Sequence, residues 1–267
     1  MNEIVVESWN ELQEALFHDS WMAEIGRFRS RYAFRGLSDK SYDLESALLR
    51  LGGDYAELER HLLRNFRKYA HRSDLLEGDS LWHWLSMAQH YGLPTRLLDW
   101  TYSPFIAMHF ATANIEKYDV DGAIWAVNYV SLHKLLPSRL RDRLQNEGAN
   151  VFTVEMLNGV VTSLSELDQI SDQDLALFLE PPSMDDRIIN QYAFFSLMSN
   201  PSAVFSEWFK QYPEIWRKII IPKTLKWEIR DKLDQANITE RVLFPGLDGL
   251  SDWLRRHYSP RDGELKS

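Results

Sequence analysis

Apolar residues recur along this chain in two rhythms, one of about 3.6 residues and one of short unbroken runs. Between Asp54 and Arg72, Tyr55, Leu58, Leu62, Leu63, Phe66 and Tyr69 keep the helical rhythm and predict an amphipathic helix. Trp9, Leu12, Leu16 and Phe17 repeat that rhythm after Ser8, and Glu11 completes a capping-box pattern with Ser8. Trp82, Trp84, Leu85 and Ala88 predict another helix, stopped near Gly92 and Pro94. Ser103-Pro104 opens the next, with proline at its first position and Phe105, Ala107, Met108, Phe110 and Ala111 within it. Ser131–Gln145 reads as a basic helix, and Thr224–Ala236 and Leu250–His257 as two more. Ser41–Leu51 reads as a loop and a short helix closed by Gly52-Gly53. Short apolar runs predict strands at Ile4–Glu7, Tyr32–Gly36, Ala123–Val127, Ala176–Leu179, Ala193–Leu197 and Lys218–Ile221. Asn150–Leu175, with its scattered Asp and Ser, reads as a polar surface excursion.

Strands and helices interleave without the regular alternation of a doubly wound parallel sheet. The fold class expected is therefore α+β (mixed α/β), a single core with a mixed sheet flanked by helices. One domain is expected over residues 1–258, with a strand–helix extension at 1–29 and a polar tail at 259–267.

Composition changes this picture in a few places. The chain of 267 residues is 45% apolar and 13% aromatic, enough to bury a core, and its ten tryptophans could also supply a stacking site. It has no cysteine, which removes disulfides, thiolate nucleophiles and cysteine metal sites and fits a reducing cytoplasm. The N-terminal segment has no signal-peptide pattern, and no run approaches the roughly 18 apolar residues of a membrane span. A net charge of −9 argues against nucleic-acid binding through bulk charge, although Arg60, His61, Arg64, Arg67, Lys68, His71 and Arg72 gather basic residues locally. These could be a solvated helix face or a groove.

Three segments could carry chemistry. Gln89–Pro104 packs Gln89, His90, Tyr91, Arg96, Asp99, Trp100, Thr101 and Ser103 into a loop between two helices. Arg96 and Asp99 are close enough to pair, and Thr101 or Ser103 could cap the helix that follows. Arg35, at a strand end before Gly36, offers a fork of donors suited to a phosphate, with Gly36 permitting close backbone approach. The third is Glu180–Gln191, where Glu180 ends a strand and Arg187 and Gln191 lie one helical turn apart. Phosphate-loop, dinucleotide-fold, serine-elbow and zinc-protease motifs are all missing, and the eight histidines show no metal spacing. No metal is expected.

Phe34-Arg35-Gly36 together with the Gln89–Ala107 segment, including Pro94-Thr95-Arg96-Leu97-Leu98-Asp99-Trp100-Thr101, resembles the FRG-domain family. The resemblance extends through Arg187, Gln191, Lys218–Pro222 and Phe244–Leu250, covering roughly residues 30–253. One departure is Tyr192-Ala193-Phe194, where the family pattern implies a glycine soon after Gln191. A looser resemblance links the chain to mono-ADP-ribosyltransferases of the arginine–serine–glutamate type. Phe34-Arg35-Gly36 is similar to their first element and Thr101-Tyr102-Ser103 to their second, while Glu180 and Gln191 both compete for the third. That resemblance implies NAD as substrate and an ADP-ribosyltransferase-like fold. Arg35 would hold the pyrophosphate or ribose, Thr101 and Ser103 would orient the nicotinamide ribose, and Tyr91 or Trp100 would stack on nicotinamide. It also implies a cytoplasmic toxin or defence effector with a protein or nucleic-acid acceptor. The alternatives are a non-catalytic nucleotide- or nucleic-acid-binding module using Arg35 and Arg96, and an NAD-cleaving glycohydrolase.

Overall fold

Strands that pair on both sides and are covered on both faces read as unbroken apolar runs, and the centre of this protein is built from such strands. In the computed structural model, which describes residues 2–70 and 80–260, ten strands form two sheets. They are β1 (Glu3–Val5), β2 (Trp21–Met22), β3 (Arg27–Phe28), β4 (Tyr32–Leu37), β5 (Leu98–Thr101), β6 (Gly122–Asn128), β7 (Phe152–Thr153), β8 (Ala176–Glu180), β9 (Ala193–Met198) and β10 (Trp216–Ile221). The helices are α1 (Trp9–Phe17), α2 (Ala47–Leu51), α3 (Tyr55–Tyr69), α4 (Leu81–His90), α5 (Pro104–Thr112), α6 (Tyr129–His133) and α7 (Ser138–Asn146). They continue with α8 (Val154–Asn158), α9 (Leu164–Asp168), α10 (Asp186–Asn190), α11 (Phe205–Phe209), α12 (Lys226–Gln235), α13 (Glu240–Leu243) and α14 (Leu247–His257).

The main sheet runs in the order β1-β10-β6-β4-β5-β9-β8-β7. The two edge pairings, β1–β10 and β7–β8, are parallel and the inner ones antiparallel. This mixed sheet with flanking helices is the α+β architecture expected from the sequence. β4 pairs with β6 along its whole length, from Tyr32 opposite Asn128 to Leu37 opposite Ala123. Toward β5 it makes a single residue pair, Phe34 opposite Thr101. The sheet therefore has a seam, with β1-β10-β6-β4 on one side and β5-β9-β8-β7 on the other.

Each side of the seam has its own helical cover on one face. Ala107, Met108 and Ala111 of α5 pack with Leu12 and Leu16 of α1 and Ile229 and Leu233 of α12 against Phe34, Ile124 and Ile219. Beyond the seam, Trp82, Leu85 and Ala88 of α4 pack with residues of α7, α8 and α9 against Leu177, Leu179, Phe195 and Leu197. On the opposite face Trp100, Trp125, Phe178 and Phe194 meet Phe205, Trp208 and Phe209 of α11 in a continuous aromatic core.

Three sequence expectations are corrected. Gln89–Pro104 is not a loop throughout, because Leu98–Thr101 is strand β5, in the interior of the sheet. Ser131–Gln145 is two helices, since Pro137 cannot continue the first and starts the second as its N-cap residue. Asn150–Leu175 is not a surface excursion: Phe152, Val154, Leu157, Val161, Leu164 and Leu167 are buried in the core beside α4. Thr153 and Ser163 cap its two short helices, and these caps supply the polar residues that suggested exposure. The helix expected over Asp54–Arg72 is observed over Tyr55–Tyr69, and His71 and Arg72 lie outside the described residues, as do residues 261–267 of the polar tail.

Candidate functional site

Where α5 covers one side of the seam and α4 the other, the sheet floor between them stays open as a cavity of about 220 Å³. Phe34, Gly36, Asp99, Thr101, Ala193 and Phe195 line its floor, His90 and Phe110 its sides, and Arg187, Ile188 and Gln191 of the α10 region the rest. Arg35 also reaches the cavity. Its Nη1 donates to the main-chain carbonyl of Asp99 at 2.6 Å and lies 3.9 Å from the Asp99 carboxylate. The guanidinium thus bridges β4 and β5 just where their ladder stops. Its Nε is buried without a hydrogen-bond partner. Burial pulls the Arg35 guanidinium below the ordinary arginine value; nearby Arg50 adds to that and Asp99 opposes it.

The other side chains around the cavity are held by hydrogen bonds. Gln89 accepts from the Thr95 hydroxyl at 2.6 Å and donates to the Asp99 carboxylate at 3.0 Å, so Asp99 is oriented from both sides of the seam. His90 Nε2 donates to the Asp185 carboxylate at 2.7 Å and ties α4 to the start of α10. Burial pushes the Asp185 carboxyl up, but the Ile188 amide and His90 outweigh it and hold the pKa below the usual carboxylate value. The Thr101 hydroxyl donates to the Gln191 carbonyl at 2.8 Å and accepts from the Ser103 amide. Gln191 is buried and its side-chain amide donates to the Leu243 carbonyl at 3.0 Å, docking α13 on the site. Arg187 is exposed and its guanidinium sits 5.2 Å from the centre of the Phe244 ring.

The structure thus brings Arg35, Gly36, His90, Asp99, Trp100, Thr101, Arg187 and Gln191 to one cavity, with Gln89 behind Asp99, and places Tyr91, Arg96, Ser103 and Glu180 outside its lining. Arg96 does not pair with Asp99. It is 3% exposed, and its Nε donates to Glu59 at 2.6 Å while Nη1 donates to Asp168 at 2.7 Å and to the Ser199 carbonyl at 2.8 Å. The Trp100 indole is buried on the far face, donating to the Ser196 hydroxyl, and has no free face for a ligand. Tyr91 is exposed and packs edge-on against His90 outside the cavity lining. Ser103 serves as N-cap of α5, accepting from the Ile106 amide.

Glu180 is separated from the cavity floor by strand alternation. Phe178, two residues earlier, belongs to the aromatic core, so Glu180 shares that face, whereas Ala193 and Phe195 of the cavity floor belong to the other. Its carboxylate accepts from the Tyr102 hydroxyl at 2.7 Å, and burial together with that bond pushes the Tyr102 phenol up. Gly36 also has a different role from the one expected. A Cβ there would sit 1.9 Å from the Ala107 carbonyl, so the glycine lets α5 lie close on β4. The departure at Tyr192 has a backbone counterpart: Tyr192 has φ 48°, in the left-handed region that favours glycine.

Several cavity residues were not singled out from the sequence. Phe110, Ile188, Ala193 and Phe195 occupy apolar positions that read as ordinary core, and only the seam turns them into cavity wall. Asp185 lies in the Glu180–Gln191 segment, but its pairing with His90 across 95 residues leaves no local trace. A larger groove of about 890 Å³ runs beside Arg60, Arg64 and Arg67 of α3. There Arg60 donates to Ser165, Arg64 contacts His61 and Arg67 lies over Trp84, so part of the basic cluster is engaged in packing.

Comparison with protein families finds a match at residues 30–120 to the FRG domain, the segment that contains β4, β5 and α5. The chain carries an FRG domain. Most of the cavity belongs to it, while Arg187, Ile188, Gln191, Ala193 and Phe195 come from beyond the matched residues. Comparison with curated proteins found no match, and neither did comparison with solved structures. Among the described residues no helix is long and apolar enough to cross a membrane, and no group of three or more His, Asp or Glu is placed to hold a metal ion.

Proposed function

We propose that the FRG domain of this protein binds one phosphate-bearing end of a nucleotide in the seam cavity. The observation that carries this reading is Arg35, whose guanidinium sits at the cavity where the ladder ends, held by one carbonyl and one carboxylate at the edge of contact and with a buried nitrogen unused. Such a fork suits a phosphate oxygen, and Arg187 offers a second positive charge at the same cavity. Volume supports a partial fit: about 220 Å³ is less than the roughly 300–1,000 Å³ of cavities that enclose a whole drug-sized ligand. A phosphate with its sugar, or a single flat ring against Phe110 and His90, matches that size. The rest of the nucleotide would lie outside.

A second reading, NAD-dependent ADP-ribosyl transfer, draws on the adjacency of Phe34-Arg35-Gly36 and Thr101 across the seam. In that reaction the bond between ribose and nicotinamide breaks, nicotinamide leaves with the electron pair, and an acceptor oxygen or nitrogen attacks the anomeric carbon and gives up its proton. No glutamate lines the cavity among the described residues, so Gln191 or Asp99 would have to stabilise the developing positive charge. That absence favours binding without catalysis. A toxin or defence role follows only if transfer occurs.

The test is thermal unfolding with NAD, with AMP and with the phosphate-free nucleoside adenosine, alongside an assay for free nicotinamide. The binding reading expects the phosphate-bearing ligands to raise Tm, adenosine to have little effect, and Arg35→Ala to remove the shift. Equal shifts from adenosine and AMP would contradict the role given to Arg35. Arg35-dependent release of nicotinamide from NAD would establish the second reading over the first.

A further inference from the structure

Just upstream of the matched FRG segment, Ser20–Arg29 folds into a hairpin that carries unburied aromatic rings beside basic residues. β2 and β3 pair Trp21 with Phe28 and Met22 with Arg27, and Gly26, at φ 59°, makes the turn. The hairpin base is anchored. The Arg29 amide donates to the Ser20 carbonyl, and Arg217 donates to the His18 carbonyl and faces Asp19. Rings this large are normally buried, yet Trp21 is 55% and Phe28 63% exposed, and they hold each other edge-on at 5.1 Å. Arg27, Arg29 and Arg31 alternate from β3 onward and are all exposed, and the guanidinium groups of Arg27 and Arg29 have no hydrogen-bond or ion-pair partner among the described residues.

We propose that this hairpin is a binding platform for single-stranded nucleic acid. The two rings offer flat apolar surface on which bases stack, and the arginines offer positive charge for the phosphates. Charge complementarity is local, since the whole chain carries −9 and three arginines in five residues stand out against that background. The turn favours a nucleic acid over a lipid surface, because exposed Glu24 stands at the tip that would meet anionic headgroups first. β4 follows the hairpin directly and reaches Arg35 three residues after Tyr32, about 10 Å along the strand, so a bound strand would lie near the seam cavity. The proposal stands on the hairpin alone and does not depend on what the cavity binds.

The test is fluorescence anisotropy with labelled oligouridine and oligothymidine of about 16 nucleotides, a length one binding module can occupy. A duplex of the same length and anionic phosphatidylserine vesicles complete the set. The full chain should bind at least one single strand more tightly than the duplex, and weaken steeply between about 50 and about 200 mM salt. The preference between oligouridine and oligothymidine identifies RNA or DNA as the ligand. Trp21→Ala with Phe28→Ala should lower affinity about tenfold or more, and Arg27→Ala with Arg29→Ala should lower it and flatten the salt dependence. These side chains are exposed, so each variant should keep the wild-type Tm. Failure of the folded protein to bind either strand at the lower salt would overturn the proposal. So would unchanged binding by both double variants, equal binding of the duplex, or binding of vesicles alone.

Discussion

Two arginines from adjacent stretches of the FRG domain end in opposite situations. Arg96 lies in a knot that joins the segment entering β5 to α3 through Glu59, to α9 through Asp168 and to the end of β9 through the Ser199 carbonyl. Only its Nη2 lacks an acceptor, and both its side chain and that of Glu59 are almost completely buried. Arg35 lies at the seam with a fifth of its side chain exposed, one neutral acceptor and a carboxylate 3.9 Å away. A guanidinium buried to this degree and fixed by two carboxylates is out of a ligand's reach, even with one nitrogen unpaired. One that spans a gap in a sheet beside a cavity is not. The same residue type therefore staples one region and, in the proposed role, serves a ligand in the other, and what differs is exposure and the number of fixed acceptors around it.

The largest effect should come from breaking the knot. Glu59→Ala leaves Arg96 buried with its main carboxylate gone and should cost about 3–5 kcal/mol in urea unfolding. A loss below about 1 kcal/mol would show that the knot does not hold the fold and would remove half of the contrast.

Acid should weaken the same side of the sheet. His133 donates from Nδ1 to the Asn150 carbonyl and accepts the Phe178 amide at Nε2, so its ring is neutral in the fold. Burial lowers its pKa to about 4, with the Asn150 bond opposing, whereas an unfolded histidine titrates near 6.5. The depressed value means that this stability is complete above about 6.5 and is lost as pH falls toward about 4, by at most about 3 kcal/mol. His109, lowered to about 3 chiefly by burial, acts in the same direction. His133→Gln should flatten part of the slope in urea unfolding measured across this range. An unchanged slope would dismiss His133 as its source.

Gly36→Ala tests how tightly the near side of the seam is closed. The added methyl meets the Ala107 carbonyl, so α5 must move off β4, at a cost of about 1–3 kcal/mol in thermal or urea unfolding. A neutral result would mean that α5 is free to shift at the cavity edge. Asp99→Asn should have the smallest effect on stability, under about 1 kcal/mol, because Asp99 is exposed and pairs with Arg35 only at 3.9 Å. A larger loss in the unfolding free energy would transfer Asp99 from the seam to the structural side of the comparison.

The two regions also differ in how far they can be read from sequence. Strands such as Tyr32–Leu37 and Gly122–Asn128 are legible because covered faces demand consecutive apolar residues, and the α3 stripe is legible from its helical rhythm. β5 is hidden: Leu98–Thr101 is only four residues long, mixes charge with apolar positions, and follows Pro94 closely enough to pass for loop. The knot is hidden for another reason. Arg96 has an acidic neighbour three residues away in Asp99, and the chain cannot show that Glu59 and Asp168 reach it first from 37 and 72 residues distant. Arg35, Gly36, Thr101 and Gln191 are identifiable as a group, but the face on which Glu180 falls is set by the register of β8 against β9, a pairing that leaves no local trace.

The proposed role of Arg35 is that of a ligand-binding group rather than a second staple. Isothermal titration of NAD into the wild-type protein and into Arg35→Ala addresses that claim directly. With Arg35 as a ligand group, the wild type should bind saturably one-to-one and the variant at least about tenfold more weakly, with unfolding free energy changed by less than about 1 kcal/mol. Equal binding by the two proteins, or no binding by the folded wild type, would contradict that role.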